Sequence, residues 1–583
     1  MSTPNPKKFY ITTSIAYANA APHIGYALEV VQADALARFH RLQGEDVFFL
    51  SGTDENGSKI KKAAEEKGLE TQSFVDQNAE KFKILLNKLN ISNNDFIRTT
   101  DKVRHHPAAQ KIWQKLVEKG DIEESNYEGF YCVGCEAYLT EKDLTDGKCP
   151  NHQKEPEKIK EENYFFKLSK YSDQIQKLIE GGEFEILPES RKNEILNVIK
   201  DGLRDVSFSR PKNVLDWGVP VPNDENQTMY VWCDALTNYI SALGYGEDYE
   251  KQEINCSKSG VHSLECNSSN SEKQDFNRLK PELQNAEQSE KFKKYWPANV
   301  HLIGKDILRF HAAIWPAMLL SAGLPLPKKI FVHGFITSDG QKISKSLGNV
   351  IDPIEVSEKY GVDALRYYLL KEIPSGGDGD FSFERFEEVY KSDLQNGLGN
   401  LTARTLTMPE KYFDNHVPNV DLEKTGQAET YSKNNENRTF SSSRVEIEKV
   451  WESIEVSIND FKLDRALGLI ISFGDIKKED INGVVPKLNN YIDYSEPWKL
   501  IKEDKEKTAI IVYNLLESLR QIAWMIRPFL PETSEKIFVQ LFADGKEREK
   551  ELQKTLKEAQ AWGGLKPGTK IRKGEIMFPR LAS

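Results

Sequence analysis

The sequence predicts an α/β fold in which a parallel sheet is interrupted by an inserted domain and followed by an α-helical bundle. Three observations carry this. Strand and helix patterns alternate at the N-terminus, but strands return strongly only near residue 300; a cluster of cysteines lies in the gap; and from about Asp393 onward the apolar residues keep helical spacing almost without strands. At 583 residues the chain is too long for one core, since a single hydrophobic core stops growing near ~250–300 residues.

The first apolar run, Phe9–Thr13, is β-branched and aromatic, and a small-residue loop with Pro22 separates it from helical spacing at Leu28, Val31, Leu36 and Phe39. A second strand is expected at Asp46–Leu50, ending in Gly52-Thr-Asp-Glu-Asn-Gly57, with a Lys/Glu/Ala-rich helix from about Ser58. This order implies parallel pairing with right-handed crossovers, a Rossmann-type sheet. Further strands are expected at Met229–Trp232, Val300–Ile303 and Lys329–His333. The chain therefore divides into two halves of a sheet domain (1–102 and 229–335), an insertion (103–228), a lysine-bearing loop region (336–392) and a helical domain (393–583). Helical spacing in the last part runs through Leu394, Leu398, Leu401 and Thr405, then Leu463–Phe473 and Val512–Phe542. Two polar stretches, 247–294 and 413–444, read as surface insertions; the first holds Cys256 and Cys266.

Composition excludes several classes. No apolar run reaches 18 residues, so no membrane span is expected, and Met1–Lys8 leads into Phe9 without a signal-peptide core, so a cytosolic chain is expected. Six cysteines are too few for a disulfide framework. With 79 basic and 90 acidic residues the net charge is −11, so an RNA partner has to be held by local basic patches rather than by the global field.

Three motifs carry chemistry. Cys132-Val-Gly-Cys135, followed after 13 residues by Cys149-Pro-Asn-His152, supplies two chelating pairs, the pattern of a closed tetrahedral zinc site that stabilises the insertion. Pro22-His-Ile-Gly-Tyr26 opens the first helix, whose free N–H groups face the crevice at the sheet's C-terminal edge and favour an anion. His23 adds a donor there, and Gly25 admits a flat ring close to the backbone. Gln341-Lys-Ile-Ser-Lys-Ser-Leu347 follows a strand and a Ser338-Asp-Gly340 turn, and puts Lys342 and Lys345 on a short loop able to close over a polyphosphate.

A His-Ile-Gly near the N-terminus of a parallel sheet with Lys-Ile-Ser-Lys-Ser beyond its last strand is the paired signature of class I aminoacyl-tRNA synthetases. Together with Tyr17-Ala-Asn19, Gly52-Thr-Asp54, the Cys3His knuckle, Tyr230-Val-Trp-Cys-Asp234, Gly304-Lys-Asp306, Phe310-His311, Glu496-Pro-Trp498 and Phe578-Pro-Arg-Leu581, the chain resembles the methionyl-tRNA synthetases over nearly its whole length. One departure stands out: Tyr26 occupies the fourth signature position, where the family usually has a second histidine.

The resemblance implies adenylylation of L-methionine by ATP, accompanied by Mg²⁺, and transfer of the methionyl group to tRNA(Met). In it Asp54 pairs with the substrate ammonium, Arg210 lies near its carboxylate, and Tyr17, Trp232, Tyr239 and His311 line the side-chain pocket, with the Ile15 backbone and the Tyr239 hydroxyl near sulfur. His23, Gly25, Tyr26, Asp306, Lys342, Ser344 and Lys345 serve ATP, with His23, Tyr26, Lys342 and Lys345 as the groups that stabilise transferring phosphate. Asn400, Arg404 and Trp498 read the anticodon, by stacking and by hydrogen bonds to unpaired base edges. The family's appended tRNA-binding barrel is not expected after Leu581, and with it no dimer: the expectation is a monomer.

Rival readings are weaker. Synthetases for branched aliphatic residues need an editing insertion for which the stretch between Asp101 and Met229 has no room, and a cysteine-activating enzyme needs an open zinc site. A non-catalytic tRNA-binding paralogue would lose His23, Asp54, Lys342 and Lys345, all present; a small nucleotidylyltransferase leaves the helical third unexplained.

Overall fold

The computed structural model describes residues 6–132, 137–139, 141–150, 153–246, 289–343, 348–433, 436–440, 443–472 and 483–581. Its centre is a seven-stranded parallel sheet: β1 (Lys8–Thr13), β2 (Ala16–Tyr17), β3 (Asp46–Asp54), β4 (Asp95–Arg98), β5 (Glu185–Leu187), β6 (Val300–Gly304) and β7 (Lys329–His333). β3 pairs with β1, with β2 farther along, and with β4, while β1 pairs with β6, β6 with β7 and β7 with β5. The chain leaves β1 in both directions across the sheet, so the β1–β6 junction is the topological switch point where ligands bind in open α/β sheets.

The side-chain alternation of the strands sorts the core in two. Phe9, Ile11, Val47 and Phe49 face α1 (Ile24–Leu42) in a cluster that continues without a break into the C-terminal helices. Tyr10, Phe48 and Leu50 face the helices His105–Glu118 and Trp315–Ser321. Both faces being covered, β1, β3 and β6 are buried almost end to end, which is why they read as continuous apolar runs.

Several elements differ from expectation. Met229–Trp232 is no strand of the main sheet: a strand Asp224–Met229 ends there and a short helix Val231–Leu236 begins. β4 and β5 were not foreseen, at four and three residues too short to present a period. Because β5 pairs with β7, part of 103–228 belongs to the main sheet; the separate module is a four-stranded antiparallel sheet of Ala137–Leu139, Ile122–Cys132, Glu157–Phe166 and Val206–Ser207. The stretch 413–444 contains a hairpin, Glu429–Lys433 with Glu436–Phe440, whereas 247–288 of the other polar stretch lies outside the described residues. The C-terminal helices include Asn400–Tyr412, Leu463–Ile471, Val484–Ser495, Lys505–Ile526 and Pro531–Leu541. Among the described residues no helix is long and apolar enough to cross a membrane.

Candidate active site

The switch-point crevice is framed by α1. His23 caps this helix from extended backbone, its Nδ1 accepting the Gly25 N–H at 3.1 Å. A ring nitrogen that accepts carries no proton, so the neutral His23 ring keeps its hydrogen on Nε2. Glycine is required at 25 because a Cβ there would come within 2.9 Å of the His23 ring. The Tyr26 ring is buried edge-on against Phe82 and its hydroxyl meets Ser51 Oγ at 3.1 Å, with burial pushing its acidity far down. Three residues past the cap, it falls on the stripe of α1 that faces the sheet, and its hydroxyl braces β3.

One turn farther on, Glu29 does what no local motif announces. Its Oε1 accepts from both the N–H and the hydroxyl of Ser14, at 2.7 and 2.6 Å, and its Oε2 meets His333 Nε2 at 3.0 Å, joining the ends of β1 and β7 beneath the crevice. The other His333 nitrogen meets the Gly334 carbonyl at 2.7 Å. Burial works against a charge here, but Glu29 outweighs it and raises the His333 pKa. Beyond β6 the exposed Asp306 turns back so that one carboxylate oxygen lies 2.8 Å from where a Gly304 Cβ would stand.

The methionine-side expectations converge on two walls. On the first, Tyr17 of β2 pairs in register with Asp54 at the end of β3. The Asp54 carboxyl is buried and accepts only long contacts, 3.4 Å from the Thr99 hydroxyl and 3.5 Å from the Asn56 N–H; burial, then Asp234, hold its pKa well above the carboxylate range. On the second, Trp232 stacks on Phe310 at 3.6 Å, and the Tyr239 hydroxyl meets His311 Nε2 at 2.7 Å. The side-chain amide of Asn56 ties the walls together by donating to Asp234 at 2.6 Å; His105 holds the other Asp234 oxygen at 2.6 Å. The Tyr17 hydroxyl and the Trp232 indole N–H are buried without a hydrogen-bond partner among the described residues. Ile15 is half-buried and packs against the same core as Trp232.

The Tyr239–His311 pair settles a tautomer. His311 Nδ1 faces the Ile307 carbonyl at 3.0 Å, which only accepts, so the proton sits on Nδ1 and Nε2 accepts from Tyr239. Burial lowers the His311 pKa to about 4, keeping the ring neutral. The Tyr239 hydroxyl proton is thus engaged by His311. Arg210 is buried in an ion pair with Glu161, 2.5 Å from Oε1, over the Tyr131 ring at 4.1 Å. A buried guanidinium requires such a partner, and here the insertion supplies it.

Beyond β7, Ile336–Ser338 and Gln341–Lys342 form a hairpin whose turn residues Asp339 and Gly340 both have positive φ, the twist such tight turns favour. The backbone of Lys342 closes this hairpin; Ser344 and Lys345 lie outside the described residues. In the insertion Cys132 and Cys149 are both buried, the latter in a turn closed by the Gln153 N–H on its carbonyl, while Cys135 and His152 lie outside the described residues.

A second surface brings together residues almost a hundred positions apart. Asn400 donates to Asn489 Oδ1 at 3.2 Å, Arg404 pairs with Asp493 at 2.6 Å, and the Arg404 guanidinium lies 5.9 Å from the Trp498 ring centre. Trp498 is 41% exposed, an open aromatic face beside a cation and an amide.

Comparison with known proteins adds the following. Residues 9–159 and 143–406 match the family model for class I tRNA synthetases (M), and 479–583 match that for the anticodon binding domain of methionyl tRNA ligase. The methionine–tRNA ligase of Clostridium acetobutylicum is 44% identical over 99% of this chain and 78% of its own length; that of Caldanaerobacter subterraneus is 43% identical over 99% and 79%. A structure of Mycobacterium tuberculosis methionyl-tRNA synthetase in complex with methionyl-adenylate superposes with a TM-score of 0.81 at 34% identity, covering 98% of this chain and all of that one.

Proposed function

Because the chain belongs to the methionyl-tRNA synthetase family, we propose that the switch-point crevice activates methionine and that the Asn400–Arg404–Trp498 surface reads the anticodon. The chain is an ATP-dependent methionine–tRNA ligase: the methionine carboxylate attacks the α-phosphate of ATP and pyrophosphate leaves, then a terminal ribose hydroxyl of tRNA(Met) attacks the acyl carbon of the adenylate and AMP leaves.

The observation that carries the site reading is Asp54, a buried carboxyl at a strand's C-terminal end in register with Tyr17, together with the donors of Tyr17 and Trp232 that lack a partner among the described residues. An ammonium placed there restores the ionised form that burial disfavours, and the donors gain acceptors from the same ligand. The thioether is recognised by packing against Trp232 and Tyr239 and by the Ile15 backbone, since the Tyr239 proton is committed to neutral His311. Asp306 accepts from the ribose hydroxyls. His23 Nε2–H and the N-terminus of α1 meet the phosphates, with Lys342, Ser344 and Lys345 as further donors. No enzyme nucleophile takes part; the residues orient two substrates and stabilise charge on the transferring phosphate. Mg²⁺ enters with ATP.

Cys132, Cys135, Cys149 and His152 are assigned to one zinc ion. The fit rests on the donor set, three thiols and an imidazole, and on the burial of Cys132 and Cys149; such a site closes the insertion and leaves no position for substrate. A cytoplasmic location and a monomeric state complete this reading.

The test is amino-acid-dependent exchange of pyrophosphate into ATP, run across the twenty amino acids without tRNA. Exchange with methionine alone is expected; exchange with another amino acid, or with none in folded protein, overturns the reading.

A further inference from the structure

α1 is buried on both sides, against the sheet and against the C-terminal helices, and two polar bridges cross from its middle to those helices. In the first, Asp34 takes three hydrogen bonds, two from Ser92 and one from Arg38, and forms an ion pair with Arg366 at 2.7 Å. Burial alone would raise the Asp34 carboxyl; the guanidinium groups of Arg366 and Arg38 hold it below its ordinary value. Arg366, on the helix Val362–Lys371, is itself fully buried and spends its other donors on backbone carbonyls: Phe529 at 2.7 Å, Leu89 at 3.1 Å and Pro528 at 3.3 Å. Pro528 and Phe529 form the turn between the helices Lys505–Ile526 and Pro531–Leu541 of the anticodon-binding region.

In the second bridge, Gln32 donates to the Ser375 carbonyl at 3.2 Å. The Ser375 hydroxyl donates to Asp464 at 2.7 Å and accepts the Leu463 N–H at 2.9 Å, capping the helix Leu463–Ile471. That helix packs against Val484–Ser495, which carries the partners of Asn400 and Arg404.

A buried ion pair contributes little stability over an apolar replacement of the same volume, whereas it fixes the mutual orientation of what it joins. Here it joins the helix that begins at His23, about 16 Å from Asp34 along the axis, to the region that carries the anticodon surface. We infer that Arg366 and Gln32 are positioning residues for tRNA charging: they set the orientation of the anticodon-binding helices on α1, so that an RNA held at Trp498 delivers its end to the crevice. Neither touches substrate. The clasp rests on the reading of the two sites given above.

The test compares tRNA-independent pyrophosphate exchange with tRNA charging in Arg366→Lys and Gln32→Met. The expected result is exchange within about 2-fold of wild type, kcat/KM for tRNA lower by about 10-fold, and disappearance of that loss when either change is combined with Trp498→Ala, because placement ceases to matter once the anticodon contact is gone. A purely structural role lowers exchange and charging in proportion and adds fully to Trp498→Ala; either outcome overturns the proposal. Should Arg366→Lys not fold, Gln32→Met decides alone. It creates no unpaired charge and removes an amide whose oxygen has no partner among the described residues. Failure of wild-type exchange overturns the underlying reading, and the clasp with it.

Discussion

The crevice and the helical surface both flank π-helical turns, Phe310–Ile314 carrying His311 and Tyr390–Gly399 leading into Asn400, yet they hold their polar groups in opposite ways. In the crevice three groups are buried and set by partners far away in sequence: Glu29 by His333, Asp234 by His105, Tyr239 by His311. On the helical surface Arg404 and Asp493 form a pair open to water, and Trp498 stands exposed. The difference follows the ligands. A small zwitterion is bound by groups already oriented, where reorganisation during reaction would cost rate; an RNA loop brings its own large faces and needs only platforms whose pairs release easily.

Changes in the two regions should therefore separate cleanly in size and kind. The largest effect is expected from Asp54→Asn, which removes the buried charge facing the ammonium: exchange kcat/KM for methionine falls by about 10³-fold, in line with ~2–5 kcal/mol for truncating one member of a buried charge pair, with far-UV circular dichroism unchanged. Retained exchange would mean that Asp54 merely caps its turn. Trp498→Ala comes next, lowering charging by about 5- to 150-fold, the equivalent of one base stack at ~1–3 kcal/mol, while tRNA-independent exchange stays at wild-type level. An equal fall in both would make Trp498 a core residue and erase the contrast.

A smaller effect sharpens the crevice side. The folded His311 titrates near 4, below the ordinary histidine value of 6.5, so between those values the unfolded chain binds the extra proton and stability falls as pH falls. His311→Gln should remove that part of the acid slope, seen as a flatter dependence of Tm on pH from 6.5 to 4. The smallest change is expected at the surface pair: Asp493→Asn should alter stability by no more than ~1 kcal/mol, since exposed ion pairs are weak, and should leave exchange untouched.

These regions were legible in the sequence to different depths. The strands β1, β3, β6 and β7 stood out because parallel strands buried on both faces are long apolar runs; β5, three residues long, gave no pattern to read. Tyr26 reads as a ligand by its place in a signature, yet it belongs to the stripe with Ala27, Val30 and Val31 that packs inward, a spacing the sequence does carry. Glu29 and His333 are 304 positions apart, and Arg210 and Glu161 are 49, so neither pairing has a local trace. Asn400 and Arg404 were expected on one helical face and Trp498 elsewhere in the bundle, whereas their common surface depends on the packing of Val484–Ser495 against the turn before Asn400.

The register of Ile11 against Val300 has a consequence for how the molecule is made. During synthesis β1 emerges early, but its neighbour on one side does not exist until almost three hundred residues later, about 15–60 s at the usual pace of a ribosome. Throughout that interval one flank of the nascent sheet offers unpaired peptide groups to any extended segment nearby, and closing so distant a contact is intrinsically slow. Birth, for this chain, is the period of greatest exposure to aggregation, and holding factors that cover β1 should matter most while residues 14–300 are being translated.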